Sequence, residues 1–504
     1  MAEAVSLRGA ARATGVEVTR RSEGLRKELG LFDLVMAQIL VIVVADYFGT
    51  AVKAGDAHVV FWIAGTLLFF VPLALVVMHM NRRLPLEGGL YEWARIAFGD
   101  QVGFLVAWNL WMYGIVYVGL AGLLTASFVS YAFPGWGWIA SNKAALAAFS
   151  VGVVGMTMAV ASVGLNVGKW VTNVASAAFL GTVLLLIASP FVSMWRGTMA
   201  EYHPLRVVAP SLTLFSVSVF SKMTFGALTG FEYVATLAGE CRNPRRDLPR
   251  SVLLTAPVIA LVYILTTSAI RVFLPSNGDD VVAPIAQAFS RGGAQAFGVA
   301  GVILPLVIAA VLVYYLATFC IFFGVCTRLP MVAGWDHLLP EWFSRLHPKH
   351  KTPTHSIVVL GVATLLFGIG ASVGVREDEA FQTLLTCSFT FYALAYLALF
   401  AIPLFSRKKK ELRPGGWVRA AAWSGFLATL LFIVLSVVPI IEIGSAARYS
   451  LRIVAVVVGA NLAAVVYYRM KGKKSVEMAG ESNLAENRTA GMTLRGAQGK
   501  RPAL

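Results

Sequence analysis

Twelve runs of about 20 apolar residues recur along the chain, and no other feature limits its possible folds so strongly. They begin near Leu31, His58, Val102, Ala144, Gly168, Thr213, Ser251, Ala296, Ser356, Phe381, Val418 and Leu451. A hydrocarbon layer ~30 Å thick is crossed by ~20 helical residues. Inside it every backbone N–H and C=O must find an internal partner, which helices provide. The runs predict an all-α integral membrane protein with twelve transmembrane helices. Composition agrees. Hydrophobic residues make up 58% of the 504 and charged residues 13%, against ~45–50% and ~25% in soluble proteins. A chain so poor in charge cannot cover its surface in water. The stretch from Val102 to Phe133 reads as one long tilted helix ending near Pro134-Gly135.

The charge that remains is unevenly spread. Net charge is +16. In a soluble protein that would suggest nucleic acid; here basic loops that set membrane orientation account for it, and no nucleic-acid partner is expected. With the N-terminus inside, the cytoplasmic segments carry 31 Lys and Arg and the outer loops carry seven. This bias places both termini in the cytoplasm and the protein, multi-pass, in the cell (plasma) membrane. Residues 1–30 read as a cytoplasmic tail rather than a secretory leader, because the first apolar run begins only after Arg20, Arg21, Arg26 and Lys27. Residues 31–470 form the helical domain. Residues 471–504 lack apolar periodicity and read as a disordered tail. Its Lys471, Lys473 and Lys474 suit positive-inside anchoring, anionic lipid or closure of the cytoplasmic mouth. Cys241, Cys320, Cys326 and Cys387 show neither disulfide nor metal spacing.

Polar groups within apolar runs are costly and mark pathways or ligands. The first run carries Asp46 in Val44-Ala45-Asp46-Tyr47-Phe48-Gly49-Thr50. Either a carboxylate sits near the end of a short helix, or the helix is interrupted and Gly49 frees backbone groups towards a cavity. The sixth run carries Phe225-Gly226-Ala227-Leu228-Thr229-Gly230-Phe231-Glu232, with Lys222 just before it. Glycines four apart also serve close helix packing. Charges on both sides of a Gly-rich centre favour a second interruption that lines a polar cavity. Paired breaks at corresponding positions of two halves point to a binding site near the midplane of a transporter. Free N–H groups there suit a carboxylate, and Asp46 suits an ammonium, so a zwitterion or a cation is the expected ligand.

The candidate substrate-binding residues are thus Ala45, Asp46, Gly49, Thr50, Phe225, Gly226, Thr229 and Gly230. Asp46, Lys222 and Glu232 are the candidates for coupling or gating, with Lys222 neutralising either acid between substrates. Asn109, Tyr113 and Tyr117 form an i, i+4, i+8 stripe on the third run, read as pocket wall or as packing. Thr383, Cys387 and Thr390, and Tyr314 with Thr318, are similar stripes. Pro85 to Gly99 places Leu86, Leu90, Trp93 and Ala97 on one helical face, which suits a helix lying at the membrane interface or packed on the bundle. His337, His347, His350 and His355 lack the spacing of a zinc helix. No cofactor and no metal are expected.

Several segments resemble amino acid–polyamine–organocation (APC) transporters. They are Gly230-Phe231-Glu232 with Gly239-Glu240-Cys241-Arg242-Asn243-Pro244-Arg245-Arg246-Asp247-Leu248-Pro249-Arg250, and Thr327-Arg328 running to Leu338-Leu339-Pro340 and Lys351-Thr352-Pro353. Pro85 to Gly99 and Asn166-Val167-Gly168-Lys169-Trp170 add to the likeness, which spans Leu31 to Met470. The resemblance implies a leucine-transporter-like 5+5 inverted repeat with two extra helices, discontinuous helices 1 and 6, and alternating-access transport of an amino acid or related amine. Ala45-Asp46-Tyr47-Phe48-Gly49 departs from the family's Gly-rich first break and resembles the glutamate/GABA antiporter branch. Several proton-coupled members carry a lysine midway along span five, whereas Trp170 to Pro190 holds no charge here.

The leading expectation is a secondary transporter, proton-linked or exchanging, acting on a small-molecule substrate within the lipid bilayer. A polyamine carrier is the alternative; Asp46 and Glu232 would then both act as counter-ions. A non-transporting amino-acid sensor is the alternative of another class, weakened by a tail too short for a soluble domain. No phosphate-cradling loop, zinc signature or nucleophile elbow supports an enzyme.

Overall fold

The computed structural model describes residues 30–83, 89–133, 135–163, 165–232, 241–274, 280–335, 341–347, 350, 352–406 and 414–470. The basic N-terminal stretch, the C-terminal tail, Leu86, Gly239-Glu240, His337, Leu338-Leu339-Pro340 and Lys351 lie outside these residues.

The two stretches that carry Asp46 and Gly226 are the ones that fail to form continuous helices. The first gives α1 (Leu31–Ile42) and, after five non-helical residues, α2 (Phe48–Val52). Val43 turns to an extended conformation, with φ −75° and ψ 95°, and ends α1. Long helices follow: α3 (Gly55–Arg83), α4 (Gly89–Phe98), α5 (Asp100–Ser130), α6 (Lys143–Val163) and α7 (Leu165–Trp195). Then comes α8 (Leu214–Ala227), which starts at a capping box in which Thr213 Oγ1 accepts from the Ser216 N–H at 3.1 Å. It stops at Leu228. Gly230 has φ +105°, a conformation open to glycine and strained for other residues, and helix resumes at Phe231.

The remainder comprises α9 (Pro244–Phe273), α10 (Pro284–Ala288), α11 (Ala300–Trp335), α12 (Thr354–Ala371), α13 (Glu377–Phe405), α14 (Gly416–Leu435) and α15 (Ala446–Met470). Proline at the first position of α9 and α10 suits an N–H that has no helical acceptor. Among the described residues ten helices are long and apolar enough to cross a membrane. The two other runs are the interrupted ones.

Burial sorts these helices. In the apolar window of α5, 89% of residues are buried, and in that of α13, 78%; in α6 and α15 the share is 22%. The centre is thus built on α5 and α13, and α6 and α15 lie at the periphery. Outward-facing Leu67, Leu253, Leu306, Leu366 and Leu462 are exposed, as a surface in contact with lipid chains requires. The expected long helix from Val102 appears as α5, with a local irregularity at Gly119-Leu120. Gly119 meets Gly368 of α12 there: a Cβ added at Gly368 would lie 2.5 Å from the Gly119 carbonyl oxygen. For α4, packing on the bundle prevails. Leu90, Tyr91, Trp93 and Ala94 are buried, and the helix lies against α5 and α13.

Candidate site at the two helix breaks

A broken helix leaves carbonyl and N–H groups without helical partners, and in an apolar interior each must be satisfied. One hydroxyl reaches both breaks and shares its single hydrogen between their carbonyls. The Tyr263 hydroxyl of α9 lies 2.7 Å from the Ile42 carbonyl oxygen at the end of α1 and 3.2 Å from that of Ala227 at the end of α8. It also accepts from the Val44 N–H at 3.1 Å. The phenol ring is held in place by stacking on Trp62, centroids 4.3 Å apart, and by Phe48 at 5.4 Å. Trp62 Nε1 in turn donates to Thr267 Oγ1 at 3.1 Å.

Asp46 sits in the first break, buried, between α1 and α2. Its Oδ2 accepts from the Tyr117 hydroxyl at 2.6 Å. Tyr315 of α11 faces the same carboxylate, yet its Oη and Asp46 Oδ1 are both buried and neither makes a hydrogen bond of full geometry. A buried carboxylate oxygen with no partner costs free energy. It is a ready acceptor for an ammonium. Aromatic rings surround it: Tyr117 packs on Phe322 at 4.9 Å and Phe319 at 5.8 Å, and Tyr113 stacks on Tyr392 at 4.3 Å with 3° between planes. Such faces attract cations as well as apolar groups.

The two breaks meet through Tyr47 and Gly226. A Cβ added at Gly226 would lie 1.8 Å from Tyr47 Cζ, so the ring of Tyr47 rests directly on the glycine. The ring also meets Phe389 of α13 edge-on at 4.9 Å. Gly49 is needed for a similar approach. A Cβ there would stand 2.3 Å from the Val281 carbonyl oxygen, in the segment that leads into α10.

In the second break, Glu232 is half-buried and receives the hydroxyls of Tyr392 and Tyr396, one on each carboxylate oxygen. Tyr396 Oη also accepts from the Gly230 N–H at 3.1 Å. The i, i+4 pair on α13 thus fixes both the acid and the left-handed glycine beside it. Phe225 is buried against Tyr396 at 5.5 Å and is stacked on Phe432 at 4.6 Å. Ala45, Thr50 and Thr229 are buried at the breaks.

Two expected site residues point elsewhere. Lys222 neutralises neither acid. It lies on the side of α8 that faces α14 and α15, where its ammonium donates to the Val438 carbonyl oxygen at 2.7 Å and lies 5.9 Å from the ring centroid of Tyr449. Asn109 joins α5 to α15: its Nδ2 donates to Asn461 Oδ1 at 2.8 Å, and Asn461 Nδ2 donates back at 3.1 Å. The stripe on the third run therefore divides, with Tyr113 and Tyr117 at the site and Asn109 in helix packing. Thr318, Thr383 and Thr390 donate to carbonyls of their own helices at 2.9, 2.7 and 2.6 Å. Tyr314 stacks on Phe179 at 4.0 Å, and its neighbour Tyr315 faces Asp46.

The sequence reading missed Tyr263, Tyr315, Tyr392 and Tyr396. The available signal was their chemistry. A tyrosine inside an apolar run needs a partner for its hydroxyl, and four such residues lie in the runs that pack on the breaks.

Known proteins are similar to this chain in sequence and in fold. Residues 29–461 match the model of a family described as amino acid permease. The low-affinity putrescine importer PlaP of Escherichia coli is 27% identical over 363 residues, covering 68% of this chain and 74% of its own. The branched-chain amino acid permease BcaP of Bacillus subtilis is 26% identical over 376 residues, covering 70% and 77%. In structure the chain is similar to MhsT, solved in complex with L-phenylalanine, with a TM-score of 0.57 at 14% identity over 82% of this chain and 99% of that one. The apolar helices and the family together make it a multi-pass membrane protein, and the chain belongs to the amino acid permease family of the APC superfamily.

Proposed function

We propose that the protein is a secondary active transporter that moves amino acids or related amines across the cell membrane by alternating access, linked to protons or by exchange. In this reading each interrupted stretch counts as one span, giving twelve in a 5+5 inverted repeat plus two, with both termini cytoplasmic. Asp46 supports it most directly: a buried carboxylate at a helix break, with one oxygen satisfied by Tyr117 and the other open. The substrate ammonium takes Asp46 Oδ1. Backbone groups of Ala45 to Thr50 and of Phe225 to Gly230 hold the rest, and the Tyr113, Tyr117, Phe389 and Tyr392 rings form the wall. Glu232 and Lys222 lie on the breaks' flanks as gating groups, Lys222 through its tie to α14 and α15.

Diamines are the second reading. Among the described residues the breaks hold two carboxylates, Asp46 and Glu232, while Lys222 turns to Val438. A site with two acids and no basic partner favours a ligand with more than one positive charge. Uptake of labelled amino acids and of labelled putrescine by the protein in liposomes, with putrescine, alanine, glutamate and arginine as competitors, tests both readings. Competition by putrescine alone selects the diamine, competition by alanine or glutamate selects the zwitterion, and no uptake of either class refutes transport.

A further inference from the structure

His58, at the start of α3, stands apart from the two breaks and is buried. Its Nδ1 lies 2.9 Å from the Gly55 carbonyl oxygen and its Nε2 lies 2.7 Å from Ser268 Oγ on α9. Ser268 Oγ donates to the Pro204 carbonyl oxygen at 2.7 Å. The protons can be counted. Gly55 O and Pro204 O accept only, so each takes a proton, one from Nδ1 and one from the single hydroxyl hydrogen of Ser268. The third contact, between Nε2 and Ser268 Oγ, then needs a proton on Nε2. All three bonds exist together only when the imidazole carries both protons. A neutral ring gives up one of them.

We propose that His58 is a proton-binding site whose occupation latches the turn between α2 and α3, and the segment ahead of α8, onto α9. Histidine exchanges this proton within the range a cell meets. Both anchored stretches feed the broken helices: Gly55 is the third residue after α2, and Pro204 lies in the segment between α7 and α8. The charged groups around His58 are Asp56 in its own turn, paired with Arg271 of α9 at 2.8 Å, and Arg271 itself. Lys53 in the same turn, and Arg206, Glu201 and His203 in the Pro204 segment, complete those of the surrounding elements. His203 and Glu201 are exposed and face each other at 3.4 Å. The Asp56–Arg271 pair cancels much of its own field at His58.

The functional consequence rests on the transport reading; the proton site itself does not. The test compares the full-length protein with His58→Gln, which cannot titrate, and Ser268→Ala, which removes the acceptor for the Nε2 proton. In proteoliposomes held at one pH on both sides, the ratio of His58→Gln to wild-type uptake changes severalfold between about pH 8 and about pH 5, and that of Ser268→Ala changes likewise. Using a ratio removes the titration of every other group. In parallel, the thermal midpoint of wild type relative to each variant changes with pH, because the latch takes up its proton in full only in the wild type. A midpoint difference independent of pH for both variants overturns the proton site. A pH-dependent midpoint difference with a constant uptake ratio overturns the coupling to transport. Absence of wild-type uptake refutes transport, and the midpoints still decide His58.

Discussion

Tyr117 donates a hydrogen bond of 2.6 Å to Asp46 Oδ2 and leaves Asp46 Oδ1 buried without a partner. The carboxylate is therefore half satisfied, and a ligand ammonium has the most to gain at Oδ1. Replacing Tyr117 with Phe removes the bond and keeps the ring. A lost bond to a buried charged group costs about 1–3 kcal/mol, so the ligand-free protein melts at a lower temperature than wild type. The stabilisation by a bound amine becomes larger, since the bare carboxylate now depends on it. Thermal unfolding with and without ligand checks both; two unchanged values refute the assignment.

Tyr263→Phe keeps the stack on Trp62 and strips three contacts from the breaks. The Ile42 and Ala227 carbonyls and the Val44 N–H lose their shared partner. At about 1 kcal/mol or more for each buried group left unmade, the variant loses stability and most of its transport. Transport at the wild-type rate would show that the hydroxyl holds nothing the cycle needs.

Gly226→Ala drives a methyl into the ring of Tyr47. The two positions are in contact, so their effects do not add. Gly226→Ala alone abolishes uptake; with Tyr47→Ala in the same chain, the clash is gone and part of the uptake returns. Double-variant uptake no better than that of Gly226→Ala would refute the contact as the cause.

Tyr392 and Tyr396 share Glu232, but Tyr396 alone also receives the Gly230 N–H. Tyr396→Phe therefore removes a donor to Glu232 and the acceptor of the Gly230 N–H. It costs uptake and about 1 kcal/mol or more of thermal stability. Uptake and stability equal to wild type would refute this role of Tyr396.

Much of this was legible in the chain and some was not. Ten of the twelve apolar runs became continuous helices because length and apolarity alone decide that outcome. The other two, containing Asp46 and Gly226, were readable as breaks because carboxylates and glycines are costly inside such runs. The direction of a side chain on a helix apolar all round was not readable. Lys222 shares its helix with Gly226, yet it faces Val438. Asn109 shares a stripe with Tyr113, yet it meets Asn461 on the last helix, 352 residues away. Periodicity places residues on a face without saying which partner that face meets. Tyr263 was hidden for the same reason: its contacts with Ile42 and Ala227 are 221 and 36 residues distant in sequence.

Asp46→Asn removes the charge on which ammonium binding depends. Asn is nearly isosteric and still accepts from Tyr117, but it gives an ammonium no charge. Loss of a buried charged partner costs about 2–5 kcal/mol, roughly 30-fold or more in affinity. The measurement is uptake of labelled amino acids and diamines by proteoliposomes carrying wild type or the variant, each with a matching size-exclusion and thermal-unfolding profile. Saturable uptake by wild type and none by Asp46→Asn is expected, with both proteins folded. Equal uptake by the two would refute Asp46 as the ammonium partner.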